Sequence, residues 1–406
     1  MFSHLTSQLS GELQTAQKVL AVNEELRNLV VVQREALSAL PSDPPNGTAD
    51  DGAAYAISSL LVRTPSKLDW QIYDHCAAVT RLYAAYARFV GDLVAEFLRL
   101  LPTLYATYSD LPTSITMQHR VGIGQILLKM GEKGHYKKLE EEPVVRELAA
   151  SLSGASGYTL LADAFFMDRQ NLRFRVLLQL FGVLGFKHCG RYVNKHPAIM
   201  DFIKNERADS SSPMKELDDF IEYRNEAAHR KVENVLSIDA IGATGRFLDA
   251  IGRALASMVE EGVLHRHMEL GHYSQVLTVS ETHYDGFVAI GIPADGVTLA
   301  IGEEVLICTK NTCQRAILES LRLNGQTVES ATADGRSEVG LRLTKRSSIR
   351  TELRRLLVPT GVPAEIQLNL EDAMPAMSNI ADSDLVESID SDASTNLDDN
   401  NQAESD

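Results

Sequence analysis

The stretch Ser211-Ser-Pro-Met-Lys-Glu-Leu-Asp-Asp-Phe-Ile-Glu-Tyr-Arg-Asn-Glu-Ala-Ala-His-Arg230 reads as an amphipathic helix with one residue out of character. Serines precede it as capping groups, and Pro213 suits a first helical turn, where a missing N–H costs nothing. Leu217, Phe220, Ile221 and Ala228 mark the buried face. At about 100° per residue, Arg224 projects into the middle of that apolar stripe, close in angle to Leu217 and Ile221. An unpaired guanidinium there is costly, so it requires an anionic partner, a polar cleft or a subunit boundary.

Asn225 and His229 are four residues apart and share a flank of the same helix, with Ala227 and Ala228 leaving room beside them. A permanently charged arginine, an amide and a histidine that titrates near neutrality suit phosphodiester chemistry. The same spacing equally fits a structural arginine–carboxylate pair with a histidine at the helix surface.

Arg224-Asn225-x-x-x-His229 resembles the motif of the HEPN superfamily, in which an arginine and a polar residue precede a histidine on a bundle helix. Asp69-Trp-Gln-Ile-Tyr-Asp-His-Cys-Ala-Ala-Val-Thr-Arg-Leu-Tyr83 and Asn171-Leu-Arg-Phe-Arg-Val-Leu-Leu-Gln-Leu-Phe-Gly-Val-Leu-Gly185 are similar to segments of a bacterial HEPN family of defence and toxin–antitoxin neighbourhoods. The resemblance covers roughly residues 55 to 270, enough for a domain. It implies an all-α bundle and a metal-independent endoribonuclease with no cofactor. Arg224 would stabilise phosphate charge as the ribose 2′-hydroxyl attacks, and His229 would act as general base or acid. Asn225 would orient the histidine or bind a phosphate oxygen. The products implied are a 2′,3′-cyclic phosphate and a 5′-hydroxyl.

Five residues place Arg224 and His229 about 140° apart around a helix, so one copy of the motif does not focus both on one point. Two copies across a twofold axis would, and a homodimer with a composite cleft is expected, as the resemblance also implies. Asp74 and Arg81 are further candidates for that cleft. The series Glu222, Glu226 and Arg230 at four-residue spacing reads as a surface ladder, or else Glu226 pairs with an arginine across the dimer.

At 406 residues the chain is long enough for two or three domains. Its opening residues lack a basic region followed by an apolar core, and the most apolar run, Val176 to Phe186, is too short to cross a bilayer. A cytoplasmic protein without membrane contact is expected. Cysteines 76, 189, 308 and 313 form no Cys-x-x-Cys pair and are expected to be reduced and structural. The net charge of -16 is concentrated at one end, because no lysine or arginine occurs from Glu371 to Asp406. That tail is too polar to order itself, leaving a mildly acidic folded part. It serves as a solubilising extension, or else as an RNA mimic or a lure for a basic partner.

Helices are expected over residues 1 to 40, Asp69 to Leu101, 114 to 130, 142 to 153, Asn171 to Leu184, Pro213 to Asn234 and Gly245 to Met268, with a break at Pro41 to Gly47. The first helix packs on the bundle or pairs with its counterpart in a dimer. Arg173, Arg175, Lys187, Arg191 and Lys195 cluster in sequence as a candidate RNA path, with His188 and Tyr192 available to stack on bases; scattered solvated charge is the other reading.

After about residue 272 the period changes to two. Val276-Leu-Thr-Val, Phe287-Val-Ala-Ile, Val305-Leu-Ile, Arg315-Ala-Ile-Leu and Val339-Gly-Leu-Arg-Leu read as strands, with turns at Asp285-Gly, Asp295-Gly, Asn324-Gly and Asp334-Gly. Even spacing suggests a small barrel. Cys313-Gln-Arg-Ala-Ile-Leu-Glu-Ser-Leu-Arg-Leu-Asn-Gly-Gln-Thr-Val328 and Ala331-Thr-Ala-Asp-Gly-Arg-Ser-Glu-Val-Gly-Leu-Arg-Leu343 resemble domain II of translational GTPases. That implies a binding module for tRNA, ribosome or protein. No Gly-x4-Gly-Lys-Ser/Thr loop exists, and Gly122-Ile-Gly124 lacks the context to replace one. His265, His267 and His272 lack partners for a metal site and read as a solvated helix terminus.

The expected organisation is a multidomain α+β chain. It comprises an N-terminal helix and linker (1–50), an all-α HEPN-like helical bundle (51–271), a domain II-like β-barrel (272–369) and a disordered acidic tail (370–406). The expected function is an endoribonuclease acting on tRNA, rRNA or mRNA as a toxin or antiphage effector, under an antitoxin or a phage-derived trigger. The alternative is a non-catalytic HEPN module that binds nucleic acid or protein.

Overall fold

The computed structural model describes residues 1–38, 59, 61–130, 139–154, 157–167, 171–207, 211–229, 232, 234–309 and 312–357. The acidic tail, the break after the first helix and Arg230 lie outside them.

Apolar residues at helical spacing build the N-terminal part. Helix α1 (Ser3–Ser38) lies across α2 (Lys67–Leu104) and α9 (Ile238–Glu269), burying Phe2, Leu5, Leu9 and Leu13. The approach is close: a Cβ on Gly252 of α9 would stand 2.5 Å from the Leu9 side chain. Ser66 caps α2 by accepting the Asp69 N–H at 3.1 Å. Its buried face, with Val79, Tyr86, Phe89, Leu93 and Leu98, meets Phe220 and Ile221 of α8 (Pro213–His229) and Phe247 and Ile251 of α9 in one core. Between them run α3 (Thr113–Lys129), α4 (Glu141–Leu152), α5 (Phe174–Val183), α6 (Cys189–Lys195) and α7 (Pro197–Glu206).

Several boundaries differ from the sequence expectation. Helix α2 continues through Pro102 to Leu104, because near a helix end proline removes one N–H and leaves little helix to disrupt. Helix α8 stops at His229, and α9 starts at Ile238, where the Ser237 hydroxyl accepts the Ala240 N–H at 3.2 Å. Helix α6 has seven residues and α7 ten, with Ile199 and Phe202 of α7 buried; periodicity did not reveal these short helices. Asp74 and Arg81 do not face α8's motif. Asp74 is buried in an ion pair with Arg27 of α1 and accepts from Asn23 Nδ2 at 2.8 Å, while Arg81 pairs with Glu12 at 3.2 Å.

The C-terminal part contains β1 (Tyr273–Thr278), β2 (Glu281–His283), β3 (Val288–Gly291), β4 (Thr298–Ala300), β5 (Glu304–Cys308), β6 (Cys313–Leu323), β7 (Gln326–Val328), β8 (Ser330–Thr332), β9 (Val339–Leu343) and β10 (Glu352–Leu356). The antiparallel order is β1-β10-β5-β6-β9-β3-β2, with β7 on β6 and β4 paired separately with β8. The outer side of β1 meets the chain after β3 through a single bridge, Leu277 to Pro293. Asn324 and Gly325, at φ 51° and 79°, make the tight turn from β6 to β7 that Asn-Gly favours. Val276, Leu318, Leu341, Leu343 and Leu353 form the sheet's own core.

Cys308 and Cys313 are register partners across the β5–β6 hairpin, with Cα atoms 4.2 Å apart, and are joined as a disulfide. This corrects the expectation of four reduced cysteines; hairpin register, which spacing alone does not reveal, brings them together. Cys76 and Cys189 are free. His267 is buried rather than solvated, its Nδ1 3.2 Å from His272 Nδ1, because the chain turns back onto the end of α9. Leu264 of α9 packs with Leu306, Cys308 and Cys313, and Arg315 of β6 pairs with Glu260 at 2.7 Å, so the two parts share a junction. No helix among the described residues is long and apolar enough to cross a membrane.

Candidate active site

The chain entering α5 is fastened to α8 by two carboxylates one turn apart. Asp218 accepts the Phe174 N–H at 3.2 Å, and Glu222 pairs with Arg173 at 2.8 Å. From α2, the buried Tyr86 hydroxyl donates to the Leu172 carbonyl at 3.0 Å. These contacts fix Asn171, whose backbone is left-handed at φ 54°, a conformation asparagine tolerates. Its side-chain amide is thereby aimed at α8.

Arg224 occupies the apolar stripe as its phase requires. Its Nη1 donates to Asn171 Oδ1 at 3.1 Å and to Asn225 Oδ1 at 3.2 Å, and its guanidinium lies 4.6 Å above the Tyr83 ring. Tyr83 in turn packs 6.5 Å from Phe220. No carboxylate pairs with Arg224 among the described residues, and its Nε–H is buried without an acceptor. The guanidinium therefore keeps its full charge in a partly buried setting, held by two amide oxygens and an aromatic face.

Asn225 is thus engaged with Arg224. His229 is the last residue of α8, and its side chain lies outside the described residues. Sequence reading passed over His75, on α2 at the same interface. Only 1% exposed, it accepts the Leu236 N–H on Nδ1 at 3.2 Å, which leaves the proton on Nε2. Burial pushes its pKa below the usual 6.5, partly offset by the Glu226 carboxylate. Both His75 Nε2 and Glu226 Oε2 are buried without hydrogen-bond partners, so Glu226 is no simple surface rung. The place of His75 beside Asp74 on the inner face of an amphipathic helix was the signal available in the sequence.

Of the basic residues singled out for RNA, Arg173 is engaged by Glu222, whereas Arg175, Lys187 and Arg191 are exposed and form no ion pair among the described residues. Tyr192 packs inward, its hydroxyl donating to Glu261 Oε1 at 2.6 Å, while His188 is exposed. No group of three or more His, Cys, Asp or Glu side chains that could hold a metal ion occurs among the described residues.

The arrangement sets a fixed cation beside the side-chain amides of Asn171 and Asn225 and the face of Tyr83. No curated protein and no solved structure matches this chain. The family model described as RiboL-PSP-HEPN matches residues 55–261, a span running from before α2 into α9 and including every residue of the Arg224 setting. The match extends over half of the 406 residues, and the chain belongs to the RiboL-PSP-HEPN family of the HEPN superfamily.

Proposed function

We propose that the protein is a metal-independent endoribonuclease that cleaves RNA by attack of a ribose 2′-hydroxyl on the adjacent phosphate, and that it acts as a toxin or antiphage effector. The observation that carries this reading is the setting of Arg224, a cation partly withdrawn from water yet paired with no carboxylate among the described residues. A structural arginine in such a stripe would be expected to have a carboxylate partner. Fixed positive charge held by neutral groups is suited to a phosphate that gains negative charge in the transition state.

In this mechanism Arg224 stabilises the phosphorane-like charge, His229 takes or gives the proton at the 2′-oxygen or the leaving 5′-oxygen, and Asn225 keeps the guanidinium oriented. The bond from phosphorus to the 5′-oxygen breaks as the bond to the 2′-oxygen forms, leaving cyclic phosphate and 5′-hydroxyl ends. Two copies of the motif across a dimer axis supply the two groups to one phosphate.

The test incubates wild type, Arg224→Ala and His229→Ala with total RNA plus chelator and maps new ends by sequencing. Cleavage by wild type alone, with both variants folded and reduced about 10²–10³-fold or more, is the expected outcome. Three equally inactive proteins would replace the nuclease with a module that binds nucleic acid or protein, and three equally active ones would remove Arg224 and His229 from the chemistry. Disruption of the dimer by Arg224→Ala would likewise assign Arg224 to an interface.

A further inference from the structure

Helix α6 turns its Tyr192 inward onto Glu261 of α9 and leaves Arg191 and Lys195 exposed, neither in an ion pair among the described residues. The adjacent α9 residue, Glu260, grips Arg315 of β6 at 2.7 Å. Two residues along that strand, the Ile317 N–H donates to Thr344 Oγ1 at 2.8 Å, and the Thr344 N–H donates back to the Ile317 carbonyl at 3.1 Å. The chain leaving Thr344 is Lys345-Arg346-Ser-Ser-Ile-Arg350. Strand β6 thus anchors the start of a basic loop near the bundle surface that carries α6.

The nearness registers electrostatically. The imidazole of His196, between α6 and α7, is held below its ordinary pKa first by burial and then by Lys345 and Arg253. Glu261 feels Lys345 as well, although burial dominates and raises its pKa. Of the acids on this side, Glu260 pairs with Arg315 and the chain's amino terminus, Asp249 pairs with Arg253, and Glu261 accepts from the Tyr192 hydroxyl. Asp285, next to the Gly286 carbonyl that accepts the Ser347 N–H at 2.7 Å, is exposed and in no ion pair among the described residues. Lys345, Arg346 and Arg350 are exposed and form no ion pair among the described residues, and the Arg346 guanidinium lies 5.3 Å over the Phe287 ring.

We propose that Arg191 and Lys195 of α6, together with Lys345, Arg346 and Arg350 of the β9–β10 loop, form one basic surface shared by the helical and β-rich parts, which takes the phosphate backbone of the RNA substrate. This rests on the nuclease reading for the identity of the polyanion. Cations spread along a seven-residue helix and a loop do not converge on one small anion. They suit a polymer with a phosphate at every step.

The experiment measures binding of the full chain to a 2′-O-methyl oligonucleotide, which carries the phosphates but lacks the attacking hydroxyl, across about 50–200 mM salt. Lys345→Gln/Arg346→Gln should make the slope of log affinity against log salt shallower by about 1.4, and Lys345→Glu/Arg346→Glu should weaken binding at least about tenfold. Lys18→Gln/Arg146→Gln, the same loss of charge on α1 and α4, should leave both unchanged. Unchanged slope and affinity in the loop variants, an equal effect of the control pair, or no binding by wild type overturns the proposal. So does loss of binding to polyglutamate with RNA affinity intact, which would assign the surface to an acidic protein. Cleavage of unmodified RNA by Arg224→Ala is read separately. Its persistence would defeat the nuclease mechanism while leaving the binding result standing.

Discussion

Arg224 and Arg27 are two inward-facing guanidiniums whose opposite surroundings give them different roles. Arg27 is 5% exposed and meets the Asp74 carboxylate, itself held by Asn23, so its charge is spent inside the helical core. Among the described residues Arg224 meets amide oxygens and the Tyr83 face and no carboxylate, so its charge is not spent on an ion pair there. Breaking a buried pair strands the remaining charge, so Asp74→Ala should lose about 3–5 kcal/mol of stability, measured by urea unfolding. The double variant Arg27→Met/Asp74→Leu should recover most of that loss, because removing both charges removes the desolvation cost with them. A single variant as stable as wild type would mean that the pair does not organise the α1–α2 contact.

The contact between α1 and α2 also carries a titrating group. Burial raises Asp92 of α2 from an ordinary 3.8 to about 6; Arg88 and Arg99 oppose the shift, and Glu96 and Glu12 reinforce it. The native state then binds more protons than the unfolded chain between those values, so this group's contribution to stability falls as pH rises through that window. Asp92→Asn should therefore stabilise the protein at pH 7 by roughly 1–2 kcal/mol once solvent screening is allowed for, and the gain should vanish near pH 4. Equal stabilisation at both pH values would refute the assignment. Helix α3 offers a sharper contrast. A Cβ on Gly122 would stand 2.0 Å from the Ala164 carbonyl oxygen, whereas one on Gly124 would meet nothing within 4 Å. Gly122→Ala should cost about 1–3 kcal/mol and Gly124→Ala should be neutral or stabilising by up to about 1 kcal/mol, both read from thermal unfolding. Of the Gly-x-Gly pair, Gly122 alone thus serves helix packing. Among the strands, β10 escaped notice because Glu-Leu-Arg-Arg-Leu does not read as a sheet interior, yet it lies between β1 and β5. Its arginines are accommodated by Glu352, the Tyr273 ring and Glu303.

For the whole molecule, the net charge of -16 misdescribes the local surfaces of α5, α6 and the β9–β10 loop. Exposed cations recur on α5, α6 and the β9–β10 loop, and several acids nearest to them are bound by other groups. The short helices α6 and α7 and the return of β10 beside β1 are consequences of tertiary packing, as is the junction of Leu264 with the Cys308–Cys313 hairpin.

Local periodicity was enough to locate the long helices, the switch to strands after residue 272 and the helix that carries Arg224, because these depend on the phase of apolar residues along one segment. It was also enough to show that Arg224 needed a special environment. Which environment that is depends on residues far apart in the chain. Asn171 reaches Arg224 because Asp218 and Glu222 hold the start of α5, Tyr83 reaches it because α2 packs on α8, and Asp74 is turned to α1 rather than to the site. Pairings of this kind are decided by which helix faces which in the packed core, and no single segment encodes them.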